Sequence, residues 1–183
     1  MARRSRPAMP GVATDNDVES MIRVDHAGEY GAVRIYEGQL AVFGKRQSKT
    51  ADAIRKMAAQ EQDHLHAFDK LINERRVRPT ALEPVWRMAG FALGAATALM
   101  GEKAAMACTA AVEEVIDEHY AQQIERLDAD PDLKKKVSDF RADEIAHKEE
   151  ALAHGAEQAP AYKVLSETIK AGCRLAIKLS ERI

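Results

Sequence analysis

Two carboxylate–imidazole pairs interrupt apolar helix faces, and this constrains the fold more than any other feature. Ile54, Met57, Ala58, Leu65, Phe68, Leu71 and Ile72 recur at steps of three and four, the spacing of one buried helix face. Glu61 and His64 fall on that same face. A second stripe, Leu133, Val137, Phe140 and Ala151, holds Glu144 and His147. In each Glu-x-x-His pair the step of three stacks the two side chains one turn apart. Two further stripes carry a single glutamate each. Glu29 lies among Met21, Asp25, Gly28, Ala32, Tyr36, Gln39 and Phe43, and Glu113 among Met106, Ala110, Tyr120, Ile124 and Leu127.

These stripes form a repeat. Glu29 precedes Glu61 by 32 residues and Glu113 precedes Glu144 by 31. Tyr36 and Tyr120 each follow their glutamate by seven residues, two helical turns on the same face. Helix punctuation agrees. Asn16 with Glu19 reads as a capping box, opening a helix that runs to about Gly44. Thr50 and Asp52 open the next, to about Arg76. A helical stretch, with a kink, runs from Val85 to Leu127. Asp130-Pro131 starts a helix ending at Gly155, and Pro160 starts a last one with the stripe Leu165, Ile169, Ala176, Leu179 and Ile183. Two short-looped hairpins joined by one long connection predict an all-α, ferritin-like four-helix bundle with one long crossover, plus extra hydrophobic and C-terminal helices.

The 183 residues fit one domain, expected over 17–183, behind a flexible basic tail at 1–16 that contains Arg3, Arg4 and Arg6. That start lacks an apolar segment, so it is not a secretory signal; a transit-peptide remnant or an arm lying against anionic lipid are the other readings. A net charge of −2 gives no argument for nucleic acid, and the isolated Cys108 and Cys173 read as reduced thiols.

Four carboxylates converging in a core repel one another and lose hydration, unless they take up protons or bind cations. Two divalent cations would balance four negative charges. Oxygen ligands with one nitrogen per metal suit iron or manganese better than zinc. A metal-free core of mutually satisfied polar groups is the alternative. Glu114 points about 100° away from Glu113, and His66 about 140° from Glu61, so both are weaker candidates. His26 and His119 lie beside the stripes and read as substrate-facing groups or as supports for the ligands. His154, two turns from His147, reads as a capping or solvent-facing group, or else as one near the bundle end. Asp143 reads either as the partner that orients a metal-bound imidazole or as a surface acid. Met88 to Gly101, MAGFALGAATALMG, is uncharged over 14 residues, too short for the roughly 20 that span a bilayer. It is either a buried core helix, or a segment that lies in the membrane interface or lines an entrance for a greasy molecule. Its Gly90-x-x-x-Gly94 permits close helix contact.

VDHAGEYGAVRIYEGQ (24–39), EQDHL (61–65), RVRPT (76–80), GFALGAATALMG (90–101), AMACTAAVEE (105–114) and the C-terminal APAYKVLSETIKAGCRLAIKLSERI together resemble the demethoxyubiquinone hydroxylase family, from about residue 17 to the end. The resemblance implies a monooxygenase that uses O2 at two iron ions to hydroxylate the ring of demethoxyubiquinone in ubiquinone biosynthesis. It implies metal ligands Glu29, Glu61, His64, Glu113, Glu144 and His147, with Glu61 and Glu144 bridging. It also implies that His119 and Tyr120 lie near where substrate and electrons arrive. Electrons would come from NADH, directly or through a reductase, since the chain has no dinucleotide motif. The expected partners are a polyprenyl quinone, the membrane surface, a lipid-binding accessory protein and a second copy of the chain, with no nucleic acid. The expected place is the cytoplasmic side of the inner (cell) membrane, bound peripherally, with the Met88–Gly101 segment and the C-terminal helix carrying Lys163, Lys170, Arg174 and Lys178 holding the enzyme against lipid and admitting the isoprenoid tail; the short N-terminus points to a bacterial member. The rivals are a ferritin- or rubrerythrin-like iron store or peroxide scavenger with the same ligands, and a metal-free helical interaction module.

Overall fold

Every long apolar stripe of the sequence becomes a helix in the computed structural model, which describes residues 13–183 and contains no strand among them. The helices are α1 (Asp15–Phe43), α2 (Lys49–Arg75), α3 (Glu83–Leu99), α4 (Glu102–Ile124), α5 (Pro131–Ala153) and α6 (Tyr162–Ser180), with one 3-10 turn at Ala156–Gln158. α1 packs on α2, and α4 on α5, giving the two hairpins. α3 lies chiefly along α1, and α6 along α4. This is the expected bundle with its two added helices. Of the N-terminal tail, residues 1–12 with Arg3, Arg4 and Arg6 lie outside the described residues.

Several boundaries differ from the sequence reading. α1 is capped by Thr14, whose hydroxyl accepts from the Asp17 N–H while the Asp17 carboxylate takes the Thr14 N–H at 2.8 Å. The box lies two residues before Asn16–Glu19 because an aspartate fills the role of the glutamate. α2 is capped by Ser48, not Thr50; Thr50 instead contacts His154 Nδ1 at 3.2 Å across the bundle end. The expected kinked helix from Val85 to Leu127 is two helices. Gly101 separates them with φ of +116°, a conformation that residues with a Cβ rarely adopt. α6 starts at Tyr162, after Pro160, with Ala161 in the left-handed region.

α1 and α3 cross so closely that a Cβ on Gly38 would strike the Phe91 carbonyl, and one on Gly94 the Ile35 carbonyl. Here Gly90-x-x-x-Gly94 has a packing job. α3 buries only Gly90, Gly94, Thr97 and Ala98, and leaves Met88 75% and Leu99 76% exposed. It is therefore not a buried core helix. α6 is held to α4 by ion pairs, Lys170 Nζ–Glu114 at 2.6 Å and Arg174–Glu118 at 3.0 Å. Lys170 and Arg174 thus face acids of α4 rather than standing free toward lipid, and Glu114 is turned out of the bundle core, as its angle predicted.

Two hydrophobic clusters fill the bundle. One contains Phe43, Ile54, Met57, Met106 and Ala151. The other contains Met21, Phe68, Leu71, Leu127 and Val137. On each of α1, α2, α4 and α5 the carboxylate sits between the residues given to the two clusters, so the charged groups form a belt at mid-bundle.

Candidate metal centre

The six residues chosen by periodicity meet in that belt. Glu29, Glu61, His64, Glu113, Glu144 and His147 are each 0–3% exposed. Their ligand atoms form two groups, each within 4.8 Å: Glu29, Glu61, His64 and Glu144; and Glu61, Glu113, Glu144 and His147. Glu61 and Glu144 belong to both. His64 Nδ1 lies 3.2 Å from Glu144 Oε1 and 3.5 Å from Glu29 Oε2. His147 Nδ1 lies 2.9 Å from Glu61 Oε1 and 3.6 Å from Glu144 Oε2.

Which atoms lack protein partners tests whether the site suits metals. Glu29 Oε2, Glu113 Oε2, both imidazole Nδ1 atoms and all four oxygens of Glu61 and Glu144 are buried with no hydrogen-bond partner. Leaving so many buried polar atoms unpaired costs on the order of 1–3 kcal/mol each. The pattern is what a pair of cations needs: one oxygen from each outer glutamate, one nitrogen from each histidine, and both oxygens of each shared glutamate. The remaining polar atoms are occupied. Tyr36 donates to Glu113 Oε1 at 2.7 Å, and Tyr120 donates to Glu29 Oε1. His64 Nε2 lies 3.1 Å from Asp143 Oδ2, and His147 Nε2 lies 3.3 Å from Gln60 Oε1. These outer partners turn both Nδ1 atoms inward. Asp143 is therefore the orienting acid, while Gln60 went unnoticed in the sequence.

The electrostatics agree. Burial, then repulsion from Glu144 and its neighbours, pushes Glu61 and Glu113 well above the ordinary carboxylate range. Burial raises Glu144 to about 7. Burial pulls His64 down, but the Glu144 and Glu29 carboxylates close to Nδ1 outweigh it and bring it to about 10. Burial lowers His147. Burial also raises Tyr36 and Tyr120 far above their ordinary range, so both remain proton donors to the glutamates.

The other candidates separate cleanly. His66 is exposed, as its angle predicted. His26 contacts Asp69 at 3.0 Å and turns to α2. His154 sits at the end of α5 between Thr50 and Glu150. Tyr120 is buried against Glu29, whereas His119 sits in the wall of a surface cleft beside Gln123 and Asp25. Asp25 and Gln123, joined at 2.7 Å, were not singled out by the sequence reading.

An apolar groove of about 480 Å³ runs between α1, α3, α4 and α6. Its wall includes Gly28 and Val112, the chain neighbours of Glu29 and Glu113, together with Trp86, Leu93, Ile169 and Leu175.

Comparison with known proteins gives a consistent result. Residues 16–180 match the family described as "Ubiquinone biosynthesis protein COQ7". The chain is 57% identical over 167 residues to the 3-demethoxyubiquinol 3-hydroxylase of Rhodospirillum rubrum, covering 91% of this chain and 78% of that protein. It is 52% identical over 182 residues to the human mitochondrial NADPH-dependent 3-demethoxyubiquinone 3-hydroxylase, covering 94% and 83%. It is 40% identical over 182 residues to the mitochondrial 5-demethoxyubiquinone hydroxylase of Saccharomyces cerevisiae, covering 91% and 78%.

Proposed function

The chain belongs to the COQ7 family of ubiquinone biosynthesis proteins, and from that premise we infer that it is an O2-dependent hydroxylase of the demethoxyubiquinone ring. The observation that carries the chemistry is the pair of four-residue groups sharing Glu61 and Glu144. An iron store or peroxide scavenger would use the same ligands, but the relatives are named hydroxylases.

We propose two iron ions per chain. Glu29 and His64 would hold one, Glu113 and His147 the other, and Glu61 and Glu144 would bridge them. When bound, such a pair supplies the electrons and open coordination positions that activate O2. The chain's own residues do the rest. Asp143 and Gln60 fix the imidazoles. Tyr36 and Tyr120 occupy one oxygen of each outer glutamate, leaving the other oxygen for metal. Phe140 stacks on His64 at 4.0 Å, and Phe68 meets Phe140 edge-on at 5.8 Å, so an apolar wall backs the imidazole and excludes water.

The apolar groove is the proposed seat of the polyprenyl quinone, its ring directed to the wall formed by Gly28 and Val112. Val85, Met88, Leu99 and Met100 around α3, with Val164, Leu175 and Ile183 in and after α6, are large apolar side chains left at least half exposed. No helix among the described residues is long and apolar enough to cross a membrane. Together with Arg87, Lys163 and Lys178, this apolar surface supports peripheral attachment to a lipid surface, which we propose to be the cytoplasmic face of the inner membrane. Reducing equivalents would come from a nicotinamide nucleotide, directly or through a reductase; the human relative is named NADPH-dependent. A lipid-binding accessory protein and a second copy of the chain are the further partners this surface would accommodate.

The test is to supply iron-loaded protein with demethoxyubiquinone, a reductant and O2, and to analyse the quinone by mass spectrometry. A product one oxygen richer is expected. Unchanged quinone with every reductant tried would overturn the assignment.

A further inference from the structure

The two halves of the bundle repeat each other closely enough that their departures are informative. Each outer glutamate is followed at seven residues by a tyrosine and at ten by a glutamine: Glu29, Tyr36 and Gln39 on α1; Glu113, Tyr120 and Gln123 on α4. Each glutamine reaches across to the residue four before the opposite glutamate. Gln39 Nε2 meets Thr109 Oγ1 at 3.4 Å and donates to the Ala105 carbonyl at 3.1 Å. Gln123 Nε2 donates to Asp25 Oδ1 at 2.7 Å. So a hydroxyl on one side is matched by a carboxylate on the other. The residue before each tyrosine differs likewise. It is Ile35 on the Thr109 side, packed with Cys108 and Val112, and His119 on the Asp25 side.

The Asp25 side is reached by a cleft of about 300 Å³ lined by His119, Gln123, Asp17, Arg126, Ser20 and Glu181. Asp25 is 3% exposed behind it, with Oδ2 lacking any protein donor. His119 Nε2 lies 2.8 Å from Gln123 Nε2 and 3.4 Å from Asp25 Oδ1. The Asp25 carboxylate is faced by His119 and Gln123 from α4 and lies one turn before Glu29 on its own helix, while the next residue, His26, turns to Asp69 of α2. Asp17, Arg126 and Glu181 stand at the cleft mouth, where Arg126 pairs with Asp17 at 3.3 Å.

We propose that His119, Gln123 and Asp25 form the proton inlet of the enzyme, carrying protons from the cleft to the Glu29 side of the centre; this rests on the hydroxylase function inferred above. Inserting one oxygen of O2 into a ring C–H bond consumes two electrons from the reductant and two protons, and releases one water. Neutral His119 accepts the second Gln123 amide hydrogen at Nε2. When hydronium in the cleft gives a proton to Nε2 and becomes water, the Gln123 amide turns its hydrogen aside, Nε2 becomes a donor, and the acceptor within reach is Asp25 Oδ1. The N–H bond breaks, an O–H bond forms on Asp25, and the ring is neutral again. Asp25 holds the proton readily because burial raises it above the ordinary carboxylate range. Asp25 lies one turn before Glu29 on the same face, so the proton it takes up stands beside the centre that consumes it.

The test uses iron-loaded full-length protein. His119→Ala and Asp25→Asn should each lower turnover roughly tenfold or more, as loss of a positioned proton-transfer group does. Iron content should be unchanged, and the solvent deuterium isotope effect on turnover should rise. Added imidazole should restore His119→Ala and leave Asp25→Asn slow; Asp25→Glu should recover most of the rate. In zinc-loaded protein, 15N NMR should find the His119 proton on Nδ1, and Gln123→Leu should abolish that preference. A wild-type protein that hydroxylates the ring while both variants stay within twofold of it would overturn the inlet alone. So would a slow His119→Ala that imidazole does not restore. An inactive wild type would instead overturn the function.

Discussion

Tyr36 of α1 donates to Glu113 of α4 at 2.7 Å, and Tyr120 of α4 donates back to Glu29 of α1. Each hairpin therefore supplies the hydroxyl that completes the other hairpin's outer glutamate. The centre is a product of the two hairpins docking, and neither hairpin carries a finished half.

Removing one of these hydroxyls has a defined cost. Tyr36→Phe leaves Glu113 Oε1 buried without its donor, and should lower stability by about 1–3 kcal/mol. It should also weaken metal binding about tenfold, the usual scale for loss of a ligand's outer partner. Chemical denaturation and metal titration of the variant measure both.

The metal-free protein should lose stability as pH rises. Glu61, Glu113 and Glu144 are held above their ordinary values by burial. A raised folded-state value means the folded chain binds more protons than the unfolded chain, so stability is fully present below the unfolded value and fades as pH climbs through the folded one. For Glu144 that window runs from about 4.5 to about 7. His64, at about 10, adds a second fall above 6.5; His147, lowered by burial, works the other way. Bound cations replace these protons. Metal-free protein should therefore melt lower at pH 8 than at pH 5, and metal should remove most of the difference, as calorimetry across that range would show.

Glycines on the two sides of α1 should respond oppositely to substitution. A Cβ placed on Gly28 would meet nothing within 4 Å, and this residue lines the groove, whereas a Cβ on Gly38 would meet backbone of α3. Gly28→Leu should fill the groove and raise KM for the quinone at least tenfold while iron content is kept. Gly38→Ala should drive α1 and α3 apart and lower the melting temperature. Steady-state kinetics and thermal denaturation of the two variants separate these effects.

The outward face of α3 should anchor the protein. Met88→Asp with Leu99→Asp should reduce flotation with vesicles containing anionic lipid several-fold while circular dichroism is unchanged. Flotation equal to wild type would remove α3 from the attachment surface.

The six residues that converge at mid-bundle were legible in the sequence because a 3.6-residue period fixes which face each side chain joins, and because the hairpin repeat marks the same positions twice. Periodicity within one helix says nothing of the partner across the interface. For that reason the crossed tyrosine bonds, the Asp25–Gln123 pair and the Gln60–His147 contact needed the fold. The pairing of Lys170 and Arg174 with Glu114 and Glu118 was hidden for the same reason. The break between α3 and α4 was missed because Gly101 separates two runs that are both helical, and one residue of positive φ leaves no periodic trace. The Ser48 and Thr14 caps were each displaced by two residues from the expected Thr50 and Asn16, since several adjacent side chains are capable caps; Asp17 completes the box at Thr14, and Ser48 also bonds Glu102.

A two-metal centre bridged by Glu61 and Glu144 is tested most directly by the iron bound per chain after anaerobic reconstitution, in the wild type and in Glu144→Ala and His66→Ala. Two irons per chain are expected in the wild type and in His66→Ala, and loss of iron in Glu144→Ala. One iron or none in the wild type, or full retention by Glu144→Ala, would contradict the bridged centre.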